Sequence, residues 1–172
     1  MSTQFAAQVR HEAVTNGITN CFFNGVIAWL LVRAKEAIPV WGGHGLLVDF
    51  FATGLILLFI VTLIVVPLSR RKVRQGKLEP VALSDNSYGQ LIRFLARRHL
   101  ALSALLLGLL GAALFVPPTA AVFALMHIEN LSPLQFALTK GVWAGLVAGC
   151  MVPPMVHMAV CVDVNDYQVQ ES

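Results

Sequence analysis

The chain has 172 residues, 57% of them hydrophobic and 12% charged, with a formal net charge of +3. A soluble domain carries about 25% charged residues, and a mean hydropathy of +0.73 exceeds what a soluble core of this size can bury, so the bilayer is the expected solvent. Cys21, Cys150 and Cys161 are odd in number and lie in or beside apolar runs, which excludes a disulfide framework and suits small buried positions.

Four apolar runs approach the roughly 20 residues needed to cross hydrocarbon as a helix. In lipid every backbone polar group must be paired within its own segment, so helices are expected rather than strands. The first run covers about 13–32 and contains VTNGITNCFFNGVIAWLLV. Glu12 beside Arg10, the interruptions at Asn20 and Asn24, and the poor cleavage sequence RAKEAIPVW mark a retained helix rather than a signal peptide. The second run covers about 46–68, the third about 100–126 and the fourth about 136–160.

Arg70, Arg71, Lys72, Arg74, Lys77, Arg93, Arg97 and Arg98 crowd the segment between the second and third runs. The first connection holds only Arg33 and Lys35, and the third has no basic residue before Lys140. The positive-inside rule places the basic loop in the cytoplasm, and four spans then put both termini there too. Trp29, Trp41 and Trp143 fall near the outer helix ends, as an aromatic belt would. YGQLIRFLARRH reads either as an amphipathic stretch suited to anionic headgroups or as simple topology signals.

The two halves repeat. Arg10-His11 matches Arg98-His99 at an offset of 88, and Thr53-Gly54 matches Lys140-Gly141 at 87, as Val66-Pro67 matches Pro153-Pro154. The expected organisation is a first hairpin over 1–78, a basic cytoplasmic loop over 79–98, a second hairpin over 99–161 and a polar tail over 162–172. An even number of spans per repeat makes the repeats parallel, about an axis along the membrane normal. The fold class is therefore all-α integral membrane, four transmembrane helices as two parallel hairpin repeats. With its polar first helix, short outer loop and the P-x-x-R-R ending in VVPLSRRKV, the first 65 or so residues resemble a bacterial family of unknown function built from single two-helix hairpins. VPPMVHMAV, which lacks the arginines, departs from that pattern. The resemblance implies relatives that dimerise to form what this chain makes by duplication.

Asn16, Asn20 and Asn24 recur every four residues and share a helix face, with Thr15 and Thr19 widening it. The stripe reads as interhelical hydrogen bonding or as the lining of a polar pathway, and the first is favoured because asparagine is uncharged. At offset 88 the stripe aligns with Ala104, Gly108 and Ala112, small residues that would let the first and third helices meet near the axis. Asp49 and Lys140 each sit about one turn inside a helix, either paired as an outer gate or acting as cap and snorkel. Gly141, Gly145 and Gly149 form a doubled G-x-x-x-G, a flat face for a partner helix inside or outside the chain. Cys150, His157 and Cys161 are soft metal ligands on one side of the last helix, but their spacing fits no zinc signature, so no metal is expected. His11 and His99 suit interface anchors better than proton shuttles, and no mid-span histidine pair exists for haem. The chain has no phosphate-binding glycine loop, C-x-x-C, H-E-x-x-H or G-x-S-x-G.

These readings point away from an enzyme, a cofactor or nucleic acid. They point to a multi-pass bacterial inner-membrane protein in contact with lipid. Its leading function is conduction or transport of a small polar solute or ion as a homo-oligomer. The alternative is an accessory or regulatory subunit docked on a larger membrane complex.

Overall fold

Seven elements follow one another in the computed structural model, which describes residues 3–43 and 45–161. They are α1 (Thr3–Val32), β1 (Ile38–Pro39), α2 (Leu46–Arg74), α3 (Ser87–Ala96), α4 (Leu100–Leu125), β2 (Asn130–Leu131) and α5 (Pro133–Val160). The tail expected over 162–172 lies outside the described residues. The architecture is all-α apart from one two-residue ladder.

Three of the helices, α2, α4 and α5, are long and apolar enough to cross a membrane. α1 has the length, 30 residues, but its asparagines dilute the apolar run and it is not among the three. α1, α2 and α5 also outrun the hydrocarbon-length estimates, whereas α4 keeps to its own. α1 starts ahead of Ala13, and α2 passes through Pro67 to Arg74. Local chemistry sets two of the starts. Ser132 and Gln135 form a capping box around Pro133, which occupies the first turn of α5. Asn86 caps α3 by accepting the Gly89 N–H at 2.8 Å.

α5 is the hub. It packs against α1, α2 and α3, and α2 also packs against α4. More than half of the apolar window of α5 is buried (56%), against 33% for α2 and for α4. The expected meeting of the first and third apolar helices is not found: α1 lies on α5, and α4 lies on α2.

At one end the two helix connections are stitched together. β1 and β2 pair antiparallel, Ile38 opposite Leu131 and Pro39 opposite Asn130. The Trp41 indole N–H donates to the Ile128 carbonyl at 3.3 Å. At the other, basic end, the α2–α3 connection docks on α5, where the Val81 N–H donates to the Val160 carbonyl at 3.1 Å. Ser103 fastens α4 to α3 by donating to the Leu95 carbonyl at 2.6 Å.

Trp143 joins three helices. It stacks on Phe50 of α2 at 4.5 Å between ring centroids, and its indole N–H donates to Thr119 of α4 at 3.0 Å. It is 7% exposed, so it does not sit in a belt at the headgroups. A buried indole needs a partner for its N–H, and the Thr119 hydroxyl supplies one. Trp29 and Trp41 are the exposed tryptophans.

Candidate functional site: a polar ladder on the first helix

The asparagines of α1 bond along their own helix. Asn16 Nδ2 donates to the Glu12 carbonyl at 2.9 Å, Asn20 Nδ2 to the Asn16 carbonyl at 2.9 Å, and Asn24 Nδ2 to the Asn20 carbonyl at 3.0 Å. The four-residue step extends back to Glu12 and Gln8, whose amide donates to Glu12 Oε1 at 3.2 Å. Gln8 and Glu12 carry the same spacing in the sequence but precede the apolar run. The row from Gln8 to Asn24 rises about 24 Å at 1.5 Å per residue, most of the roughly 30 Å hydrocarbon thickness.

Each amide spends one N–H on this back-bonding. Among the described residues no donor reaches the Oδ1 atoms of Asn16, Asn20 and Asn24, and the three residues are half-buried. The row is therefore a line of free carbonyl acceptors on one helix. Thr15 and Thr19, beside it, are exposed.

One ion pair joins the row near its basic end, and a second lies off it, between α2 and α5. At the basic end Glu12 is paired with Lys72 of α2. Towards the stitched end, Asn24 is followed by Gly25, which faces Gly141, and Lys140 precedes that glycine. Lys140 Nζ lies 2.8 Å from Asp49 Oδ1 and 2.7 Å from Oδ2. The hydrogen-bond geometry is good only to Oδ1, but at these distances one ammonium serves the whole carboxylate. The Lys140 side chain is 10% exposed and that of Asp49 39%. The structure thus joins Asp49 and Lys140 across α2 and α5.

The glycine face of α5 is occupied within the chain. A Cβ added at Gly145 would lie 2.8 Å from the Gly17 carbonyl and from Cys21 Cβ, and one at Gly141 would lie 2.7 Å from the Cys21 carbonyl. Gly149 faces Gly17 and the Ala13 carbonyl. α1 answers with its own small residues, so two backbones meet directly and van der Waals contact holds the seam. α1 covers the stripe at Gly141 and Gly145, and an open apolar groove runs beside the seam past Gly145 and Gly149.

Gly108 and Ala112 meet α2, and Ala104 is buried one turn before them on α4. A Cβ at Gly108 would lie 2.8 Å from the Leu55 carbonyl, and Ala112 is the neighbour of Gly54. Cys150, His157 and Cys161 do not gather: among the described residues no group of three ligand side chains is placed to hold a metal ion. Cys150 is exposed, and His157 Nδ1 lies 2.8 Å from the Tyr88 hydroxyl of α3.

Partial burial against α5 pushes the Tyr88 phenol above its ordinary value of 10.0. The docking of α3 is then fully stable below pH 10.0 and weakens as pH rises from there through the folded-state value, because the undocked chain releases the proton first. In a Tyr167→Phe background, phenolate absorbance of the folded protein is expected to titrate above pH 10.0 and to fall back towards it in denaturant. Coincident curves would show that Tyr88 is fully solvated.

Comparison of the chain with family models, with curated proteins and with solved structures gives no match.

Proposed function

We propose that this chain is a four-span bacterial inner-membrane protein, two hairpins in tandem with both ends in the cytoplasm. In this reading it passes a small polar solute or ion along the ladder of α1. The carrying observation is the row of amide oxygens, half-buried, without donors among the described residues, and joined at its basic end by the Glu12–Lys72 pair. Free carbonyl acceptors at regular rise replace water around a migrating cation or hydrogen-bond donor. The amides bond along their own helix and not to a neighbour, which favours the pathway reading over interhelical bonding.

The two small-residue seams support the duplication. Gly25 faces Gly141, and Gly54 faces Ala112, so both members of the contact shift by 87 between seams. At that offset Gly17, Cys21 and Gly25 correspond to Ala104, Gly108 and Ala112. Each row packs on the second helix of the other hairpin. The antiparallel β1–β2 pair fits an axis along the membrane normal between the hairpins. The basic end gathers Arg70, Arg71, Arg74, Arg93, Arg97 and Arg98, which supports a cytoplasmic location for it. α1 completes the count as a fourth span, since back-bonding lowers the cost of its amides in lipid.

The test is flux in reconstituted vesicles, by osmotic swelling for neutral solutes and by a cation-sensitive dye for ions. Asn20→Leu is expected to lower the flux at least about tenfold, in line with 1.4 kcal/mol or more of lost stabilisation, while the chain still assembles. Unchanged flux would make the ladder structural and leave the accessory-subunit reading in its place.

A further inference from the structure

Among the described residues, α3 is the one helix that lies outside the long apolar helices and α1. Its inner face is buried through Gly89, Ile92 and Leu95. Tyr88, on its flank, meets His157, and Leu95 receives Ser103. The helix is therefore fixed in orientation, and its outer face is a rigid surface. That face mixes two chemistries. Leu91 and Phe94 are 41% and 47% exposed, and Arg97, the C-cap, and Arg98, just past it, follow them.

The arginines are organised. The Arg98 guanidinium lies over the Phe94 ring, 4.7 Å from its centroid. Arg93 is held at the rim by the Leu83 carbonyl at 3.0 Å and Asp85 at 2.6 Å. Gln90, Arg93, Phe94, Arg97 and Arg98 line an open cavity of about 540 Å³. α4 begins at Leu100 with His99 as its N-cap, so in the membrane reading the cavity lies at the depth where a span enters its headgroup layer.

We infer that the Gln90–Arg98 face of α3 is a binding site for an anionic phospholipid of the surrounding leaflet. Arg98 takes the phosphate, whose oxygens match the guanidinium fork, and Arg97 adds its positive charge beside it. Phe94 and Leu91 lie along the upper acyl chains, as the apolar face of an interfacial helix does. The charge pattern selects the occupant: a zwitterionic lipid offers the same acyl surface but no net charge to the arginines. The inference rests on the membrane reading above and not on the conduction reading.

The experiment is native mass spectrometry of the full detergent-solubilised chain, titrated with phosphatidylglycerol and, separately, phosphatidylcholine. Wild type is expected to retain phosphatidylglycerol in preference to phosphatidylcholine. Arg97→Gln with Arg98→Gln is expected to weaken the phosphatidylglycerol adduct about 30-fold, roughly fivefold for each headgroup-level arginine. Phe94→Ala, which keeps every charge, is expected to weaken both lipids. Arg71→Gln with Lys77→Gln removes the same charge from the same end, outside the cavity, and is expected to leave the adduct intact. Equal losses in the two double variants would overturn the site in favour of diffuse attraction, as would equal retention of the two lipids by wild type. A chain that stays monodisperse without detergent would overturn the membrane reading itself, a separate outcome from loss of lipid selectivity.

Discussion

Gly145→Leu is expected to part α1 from α5. The added Cβ alone would lie 2.8 Å from both the Gly17 carbonyl and Cys21 Cβ, closer than real Cβ contacts come. A backbone carbonyl cannot rotate away as a side chain can, so α1 must move as a unit. Overpacking in a tight core costs about 1–3 kcal/mol and sometimes more. A leucine pressed on backbone belongs at the upper end, about 3 kcal/mol. Gly141→Leu meets the Cys21 carbonyl at 2.7 Å and should behave alike. Leu146, next in sequence and 59% exposed, provides the contrast: Leu146→Phe should cost almost nothing. The readout is maleimide labelling of Cys21 in a Cys150→Ser, Cys161→Ser background, alongside a thermal melt in detergent. In the wild type Cys21 is half-buried in the seam, and labelling should accelerate in Gly145→Leu but not in Leu146→Phe. Unchanged labelling in Gly145→Leu would mean that α1 does not pack on this stripe.

That seam also shows what was legible in the sequence. The apolar runs are read easily, because lipid demands long apolar helices with their backbone bonds satisfied internally. The doubled G-x-x-x-G is equally plain, since only close backbone approach explains it. Its partner is not plain, because Gly17, Cys21 and Gly25 lie one residue on from the asparagines. A shift of one residue turns a helix by about 100°. Aligning the halves at 88 sets the asparagines against Ala104, Gly108 and Ala112, whereas 87, the offset of the packed seams, sets Gly17, Cys21 and Gly25 there. A few anchor residues do not resolve that difference, but the packing of backbones does.

The ladder was partly legible for a related reason. Asn16, Asn20 and Asn24 stand out because they interrupt an apolar run. Gln8 and Glu12 obey the same spacing but precede that run, where a polar residue attracts no notice. Lys72 is hidden among the basic residues that mark topology, and only the approach of α2 to α1 singles it out. Trp143 was misplaced because an indole near a helix end has the same sequence signature whether it faces headgroups or a neighbour. The Thr119 hydroxyl, 24 residues away, decides the matter.

The second large effect is expected at the Asp49–Lys140 pair, and it is expected to be asymmetric. Lys140 is the buried partner, its side chain 10% exposed against 39% for Asp49. Asp49→Ala leaves an ammonium enclosed near the Phe136 ring, 5.8 Å from its centroid, without its counter-charge. Breaking a buried pair from one side costs about 3–5 kcal/mol, and the partial exposure of Asp49 argues for the lower figure. Lys140→Met keeps the long apolar stem and leaves a carboxylate that water can reach, so the loss should be nearer 1 kcal/mol. Combining Asp49→Asn with Lys140→Met removes both charges and should be more stable than Asp49→Ala alone, because no uncompensated charge remains. Denaturation of the four proteins in mixed micelles gives the comparison. Equal losses for Asp49→Ala and Lys140→Met would mean that the ammonium reaches water when its partner is removed. A double variant worse than either single would mean that Asp49 and Lys140 hold the α2–α5 contact through packing and not through charge.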